Sequence, residues 1–360
     1  MAFSEKKSAI FAWNTRGVNG DFTNQFFRGK PAHASTRLQI LPAIDAARQL
    51  GCSPRVISLA GDSGFLNHVG QPAICVFSKM TANRAEDQDR VIANSLALSA
   101  RMKARGVPVV LLYCDHHAMS SSPVGFLYQD LLRLADLVVC PSSKMAELAG
   151  SICPDGSSVS VVEDVCVTKR QPFLDLDQES RCHLLWFGSD TNAFFLTNIL
   201  PSLLLHCEGH SGFELTVMGR ESTLAKVRSV SSKLKSKQPW EFRFILWDPS
   251  RQPAQLENEL ARAHFVLIPS DPESIWKLGV SHNRLVDGVQ GGCVVIASPM
   301  PSYIELSKIS LVGDDFPFMI NTAIAQYSRL SRKYDSLRNE FLSRFMPASV
   351  QARWREVLSV

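Results

Sequence analysis

No apolar run among the 360 residues approaches the roughly 18 that a membrane-spanning helix needs, so an integral membrane helix is not expected. The opening segment MAFSEKKSAIFAW carries charge, but its apolar stretch is too short for a secretory signal. The nine cysteines form no CxxC pair and no zinc-ligand spacing, which argues against a disulfide scaffold or a zinc module. An odd, scattered count without an export signal reads as reduced thiols in a cytoplasmic protein. Most of them sit in apolar runs (AICVF, LVVCP, GGCVV), where a thiol behaves as a small core side chain. There is no Walker loop and no GxGxxG, so nucleotide-triphosphatase and dinucleotide readings find little support. Charge of one sign is missing as well. The chain has 38 basic and 34 acidic residues, a formal net charge of +4, and one dense basic stretch, KVRSVSSKLKSK from Lys226 to Lys237. That stretch reads as a solvated helix face, and a nucleic-acid footprint would need a broader stripe.

What is present is a rhythm. Short apolar runs recur between turn residues: SAIFAW, RVISL, AICVFS, PVVLLYC, LVVCPS and VSVVED, then LLWFG, ELTVMG, FRFILW, HFVLIPS and CVVIAS. Helical patterns such as STRLQILPAIDAARQLG, EDQDRVIANSLALSARMKARG and PAQLENELARA separate them. Strand and helix in alternation predict α/β architecture, a parallel sheet with helices on both faces. Strands apolar on both sides fit that burial. The rhythm breaks once, in the polar, proline-containing CVTKRQPFLDLDQESRC between Cys166 and Cys182. We therefore expect an N-terminal Rossmann-like domain over 1–167, a linker over 168–181, a second Rossmann-like domain over 182–345 and a final helix over 346–360. Doubly wound sheets bind ligands beyond the carboxyl ends of their strands, and two such domains facing each other would make that edge a cleft.

Three segments could carry chemistry. In NRLVDGVQGGCVVIAS, Asn283, Arg284 and Asp287 fall on one helical arc, with Leu285, Val286 and Val289 on the other. Gly291 and Gly292 would end that helix. The segment ahead of it, HFVLIPSDPESIWKLGVSHNR, leads from a buried strand into the helix start. Lys277 and Arg284 nearby make that start a natural anion site, and Asp287 could accept from ribose hydroxyls. The same spacing fits an ordinary amphipathic surface helix. In LLWFGSDTNAFFLTNILPSLL a strand ends at Gly188, and Ser189, Asp190, Thr191 and Asn192 open a helix that they could cap or whose N–H groups could cradle a phosphate. In VVLLYCDHHAMSSS, Asp115, His116 and His117 follow a strand. A carboxylate beside imidazoles suits acid–base work or sugar-hydroxyl binding, and at most one of two adjacent histidines is expected to face a ligand. Near the N-terminus, Arg16 and Gly17 in NTRGVNG follow the first strand. Ser35 is a natural cap for the next helix, with Arg37 in its first turn opposing the helix dipole, as a nearby anion would explain.

The succession ADLVVCPSSKMAELA, LLWFGS, ELTVMG, FILWDP and LARAHFVLIPSDPES…K…NRLVDGVQGGCVVIASPMPSYIEL resembles the GT-B glycosyltransferases, in particular the retaining nucleotide-sugar transferases that include family four. The resemblance runs over nearly the whole chain and is best in the second half. It implies two Rossmann-like doubly wound parallel-sheet domains facing a cleft, and a final helix crossing back to the first domain with Trp354 buried. It also implies a hexosyltransferase-like activity, moving a sugar from a nucleotide-sugar donor to a glycan, a lipid-linked glycan or a protein. No cofactor or metal is implied beyond the nucleotide sugar as co-substrate; peripheral membrane contact stays open, and no nucleic-acid partner is implied. Asp287 stands where the family carries a Glu that binds the donor ribose. The acidic partner expected eight residues earlier is Gly279 here, with Glu273 further upstream. Lys277 and Arg284, beside Asn283, would hold the phosphates. Gly188, Ser189, Thr191 and Asn192, with Gly219, Arg220 and Trp247, would complete the donor side. YCDHH resembles a D-x-D position with His117 in place of the second acid, so Asp115, His116 and His117 are the catalytic candidates; Arg16, Gly17, Ser35 and Arg37 fall on the acceptor or phosphate side. Two other readings remain open: a sugar-nucleotide epimerase or hydrolase of this fold, and a non-catalytic scaffold or regulator.

Overall fold

A computed structural model describes residues 8–13, 20–21, 23–28, 36–61, 63–78, 80, 85–177, 179, 181–208 and 210–359. The apolar runs form the strands of two sheets. The first comprises β1 (Ser8–Trp13), β2 (Gly20–Asp21), β3 (Ser53–Ser58), β4 (Ile74–Ser78), β5 (Val109–Leu112), β6 (Leu137–Cys140) and β7 (Ser158–Val161), in the order β2-β3-β1-β4-β5-β6-β7. The second comprises β8 (Cys182–Phe187), β9 (Phe213–Gly219), β10 (Trp240–Leu246), β11 (Phe265–Ile268), β12 (Val294–Ala297) and β13 (Leu311–Val312), in the order β10-β9-β8-β11-β12-β13. Every pairing is parallel except the two-residue β2, which runs antiparallel to β3. The two-residue strands β2 and β13 are too short to show a pattern in sequence.

Helices fill the connections: α1 (Thr23–Arg28), α2 (Leu41–Gln49), α3 (Ala85–Ala104), α4 (Pro123–Leu134) and α5 (Ser143–Gly150) among the first strands. Among and after the second set lie α6 (Asp190–His206), α7 (Glu221–Ser231), α8 (Ala254–Leu260), α9 (Asn283–Gln290), α10 (Pro301–Ile304), α11 (Phe316–Ala325), α12 (Tyr327–Leu342) and α13 (Pro347–Leu358). None of them is long and apolar enough to cross a membrane, among the described residues.

The chain divides into two compact units, one of 1–165, 279–281 and 346–360, the other of 166–278 and 282–345. In the first, α13 joins the core: Val350, Trp354, Val357 and Leu358 pack in one buried cluster with Ile40, Ala43 and Ala47. Burying a Trp and three aliphatic side chains removes enough apolar surface to stabilise that contact by several kcal/mol, at roughly 1.5–3 kcal/mol per side chain.

The stretch read as one helix from Ser35 is a π turn over Thr36–Ile40 followed by α2. Pro42 supplies the reason: it has no N–H to bond into the preceding turn, and its ring crowds the carbonyl four residues back, so regular α geometry starts only beside it. The basic stretch from Lys226 is helical only to Ser231; Lys233, Lys235 and Lys237 are exposed beyond the helix.

In the second unit, α9 buries Leu285, Val286 and Val289, while Asn283, Arg284 and Asp287 are half-buried on its polar arc. It ends at Gly292, whose φ of +81° suits glycine alone, and where a Cβ would lie 2.2 Å from the Pro172 carbonyl oxygen. Arg338 of α12, fully buried, donates from Nη1 to the carbonyls of Val289, Gln290 and Gln171, capping α9 and holding the 166–182 segment to it.

Candidate active site

Because the second sheet is parallel, the segments after β8, β9, β10 and β11 all leave from one edge. The strand order reverses direction between β8 and β11, the switch point where sheets of this kind receive ligands. Gly188, Ser189, Thr191 and Asn192 follow β8, Gly219 and Arg220 end β9, Trp247 follows β10, and Lys277, Asn283 and Arg284 follow β11. The fold therefore brings these ten candidates to one edge.

Their local chemistry differs. Ser189 holds the N-cap position of α6, but its hydroxyl pairs with that of Thr191 (2.9 Å) and makes no cap bond. The carboxylate of Asp190 turns away to the next helix. It accepts from the hydroxyls of Ser222 and Thr223, and these bonds hold its pKa below the usual carboxylate range. Gly219 is a close-approach glycine: a Cβ there would meet Thr223 Cγ2 at 2.8 Å and the Gly188 carbonyl at 3.3 Å. Arg220 is exposed and Trp247 half-buried, its N–H donating to the Gly219 carbonyl.

Lys277 reaches back across the edge. Its Nζ donates to Asn192 Oδ1 in the first turn of α6 (2.9 Å) and lies over the Phe195 ring (5.7 Å). A cation is thereby fixed at a helix start, where the macrodipole already favours an anion. On α9, Asn283 Oδ1 accepts from the Arg284 N–H (2.7 Å). Arg284 Nη2 makes one long contact with Tyr303 Oη (3.5 Å), while its Nη1 is buried with no hydrogen-bond partner among the described residues. A buried guanidinium nitrogen left so is costly unless an anion completes it.

Asp287 is engaged elsewhere. Its Oδ1 accepts from Thr168 Oγ1 (2.7 Å) and from the Cys166 thiol (3.8 Å), 119 and 121 residues away in sequence. Glu273 is exposed, its backbone N–H bonded to Asp271 Oδ1. Just ahead of α9, buried His282 donates or accepts through Nε2 with Glu305 Oε2 (3.0 Å), to which Arg344 also donates (2.6 Å). Burial alone would raise the Glu305 carboxyl, but these two bonds outweigh it and hold it at about 2. Periodicity gave no signal for this brace or for Thr168, because each partner lies on another element.

In the first unit the segment after β5 splits its two histidines. His116 is buried; its Nδ1 bonds the Tyr113 hydroxyl (2.7 Å), and burial, then the charge of His117, lower its pKa. It supports the loop from inside. His117 is half-buried, stacked on Tyr128 (5.0 Å between ring centroids), with Nε2 3.8 Å from Oδ2 of the exposed Asp115. Only Asp115 and His117 present chemistry outward. Arg37 is half-buried in the π turn. That turn is tied to the end of β5 through Gln39, which accepts from the Cys114 thiol (2.8 Å) and donates to Asp164 (2.7 Å). Arg16, Gly17 and Ser35 lie outside the described residues. Among the described residues, no group of three or more His, Cys, Asp or Glu could hold a metal ion.

By sequence, no family model and no curated protein matches the chain. By structure it is similar over its whole length to solved proteins. It matches HepE of Anabaena in complex with UDP and glucose with 14% identity and a TM-score of 0.63, over 98% of this chain and 99% of that one. The lipopolysaccharide outer core galactosyltransferase WaaB matches with 11% identity and a TM-score of 0.59, over 98% and 99%. A UDP-forming α,α-trehalose-phosphate synthase from Burkholderia vietnamiensis matches with 10% identity and a TM-score of 0.53, over 99% and 98%. At such identities the likeness is one of fold, and that fold is GT-B: two Rossmann-like domains in one chain.

Proposed function

We propose that the protein is a glycosyltransferase that takes a sugar from a nucleotide-sugar donor held at the carboxyl edge of the second sheet. The observation that carries this reading is the buried, unpartnered Nη1 of Arg284 at the start of α9, on the edge where Lys277 is fixed over the start of α6. Two cations and two helix N-termini on one edge suit the charge that builds on a departing nucleotide phosphate. HepE has been solved with UDP-glucose, which supports a donor of that class. With these groups stabilising the leaving phosphate, turnover is expected to survive chelation by EDTA.

Asp287 would meet the donor ribose by exchanging the Thr168 hydroxyl for a ribose hydroxyl, the same kind of donor at the same oxygen. Asp115 and His117 of the first unit are assigned to the acceptor hydroxyl, His117 as the proton acceptor and Asp115 as its charged neighbour. Glycans, lipid-linked glycans and proteins all offer such a hydroxyl. Gly279, standing where the acidic partner of Asp287 is expected, favours a second reading, a nucleotide-sugar binder without transferase activity.

The test is titration of UDP, GDP and ADP into the wild type and into Lys277→Ala and Arg284→Ala. Each substitution is expected to weaken the nucleotide that binds by about 1–3 kcal/mol, the scale of a charged hydrogen bond, with circular dichroism unchanged. Equal affinity in all three proteins would remove the site. Sugar transfer measured with and without acceptor separates the transferase from the binder, and from an epimerase or hydrolase.

A further inference from the structure

A recess of about 220 Å³ opens beside α6 at the carboxyl ends of β11 and β12. Phe194, Phe195 and Phe316 form its apolar walls, and Asn198, Asp271 and Asp314 bring polar groups to it. Phe194 is 62% exposed and meets Phe195 edge to face (5.8 Å between ring centroids), which leaves an open aromatic face at the recess. The recess adjoins the cation described above, because Phe195 is the ring under Lys277 Nζ. Its volume is that of about seven waters, enough for one pyranose ring and too little for two. Aromatic faces beside amide and carboxylate groups match a sugar ring, which offers C–H faces to the first and hydroxyl donors to the second. Neither Asn198 nor Asp314 spends its side chain on a hydrogen bond among the described residues. Among the described residues the recess has no Lys, Arg or His in its lining, and two of its polar groups are carboxylates.

We propose that this recess receives the ring of an uncharged hexose whose phosphate lies at Lys277, and that its carboxylates reject hexuronates. The inference rests on the nucleotide-sugar reading and adds the sugar class. A ring carboxylate placed near Asp271 and Asp314 would meet like charges, with the adjoining Lys277 already committed to the phosphate, whereas a neutral ring donates its hydroxyls to the same two groups.

Calorimetric titration tests it. Free UDP and GDP come first; the one that binds sets the series, UDP-glucose against UDP-glucuronate or GDP-mannose against GDP-mannuronate. The hexose conjugate is expected to bind about tenfold more tightly than the hexuronate, a modest like-charge penalty at a partly solvated site. In Asp314→Asn that ratio should shrink to about threefold through a gain on the hexuronate, with free-nucleotide affinity unchanged. Phe194→Ala should weaken the hexose conjugate about fivefold, again without moving the free nucleotide. Both side chains are exposed, so both variants should fold. Equal binding of hexose and hexuronate by the wild type, or an Asp314→Asn protein with an unchanged ratio, overturns the sugar assignment and leaves the nucleotide site standing. If neither free nucleotide binds, the donor reading fails and this assignment falls with it.

Discussion

At the amino edge of the second sheet the Arg338 guanidinium donates to three carbonyls, while at the opposite edge Arg284 Nη1 is buried with none to meet. Both arginines serve the same helix, α9, from its two ends. Around Arg338 the fold is closed: Gly292 turns under the Pro172 carbonyl, and His264 accepts at Nδ1 from the His183 N–H and faces the Asp175 carbonyl through Nε2. Around Arg284 helix starts take no side-chain cap from the N-cap residue, and Lys277 is positioned over one of them. Finishing one edge with internal bonds lets the other keep its polar groups for a ligand without loss of rigidity, because α9 is anchored from behind.

The sharpest way to break this contrast is Arg338→Ala. Three carbonyls would lose the donor that the fully buried Arg338 supplies, while the exposed Asp335 would keep Arg170. Leaving a buried acceptor without its donor costs about 1–3 kcal/mol, and we expect a loss of that size in urea unfolding. Nucleotide affinity, measured well below the transition, should stay within about twofold of the wild type, since the ligand edge is untouched. A loss below about 1 kcal/mol would mean that the amino edge is not the anchor described here.

Much of this was legible in the sequence, and the limits follow from distance along the chain. The apolar runs located nearly all the strands because a parallel sheet buries both faces, and the arc of Asn283, Arg284 and Asp287 emerged from helical periodicity alone. Gly292 was readable as a helix stop for the same local reason. Arg338 was not, for its acceptors lie 48, 49 and 167 residues away, and neither was Thr168, whose partner is 119 residues on. His116 and His117 are neighbours in sequence that differ in role only because Tyr113 draws one inward and Tyr128 stacks the other. Nothing in the local pattern chooses between them.

The amino edge should also respond to acid. Burial pulls the His264 pKa down to about 4 from 6.5. Its Nδ1 accepts from the His183 N–H, so the neutral ring carries its proton on Nε2, toward the Asp175 carbonyl. In the unfolded chain the same side chain binds a proton near pH 6.5. Between that pH and about 4 the unfolded state holds more protons, so stability is full above 6.5 and falls as the pH drops through the window. At about 1.4 kcal/mol for each pKa unit the whole loss is roughly 3.5 kcal/mol, and the part between pH 6.5 and 4.5 precedes the titration of ordinary carboxylates. His264→Asn keeps an acceptor for the His183 N–H and removes the titration. Urea midpoints across this range should be flatter for the variant than for the wild type; parallel curves would show that His264 does not carry the slope.

The smallest effect expected is at the open edge, and it separates a cap from a ligand site. Ser189 stands at the start of α6, and a Ser cap there would cost about 1 kcal/mol to remove. Its hydroxyl instead pairs with Thr191 and bonds no helix N–H. Asp315 provides the contrast, for its Oδ1 accepts from the Phe318 N–H (3.0 Å) at the start of α11. Asp315→Ala should therefore lower stability by about 1 kcal/mol, and Ser189→Ala by less than about 0.5. In saturating nucleotide the order should change: the ligand raises the melting temperature of Asp315→Ala as much as that of the wild type, while Ser189→Ala gains less, because mass action registers any contact the hydroxyl makes to the bound phosphate. If Ser189→Ala loses as much stability as Asp315→Ala without ligand, the start of α6 is an ordinary capped helix and its hydroxyls are not held in reserve.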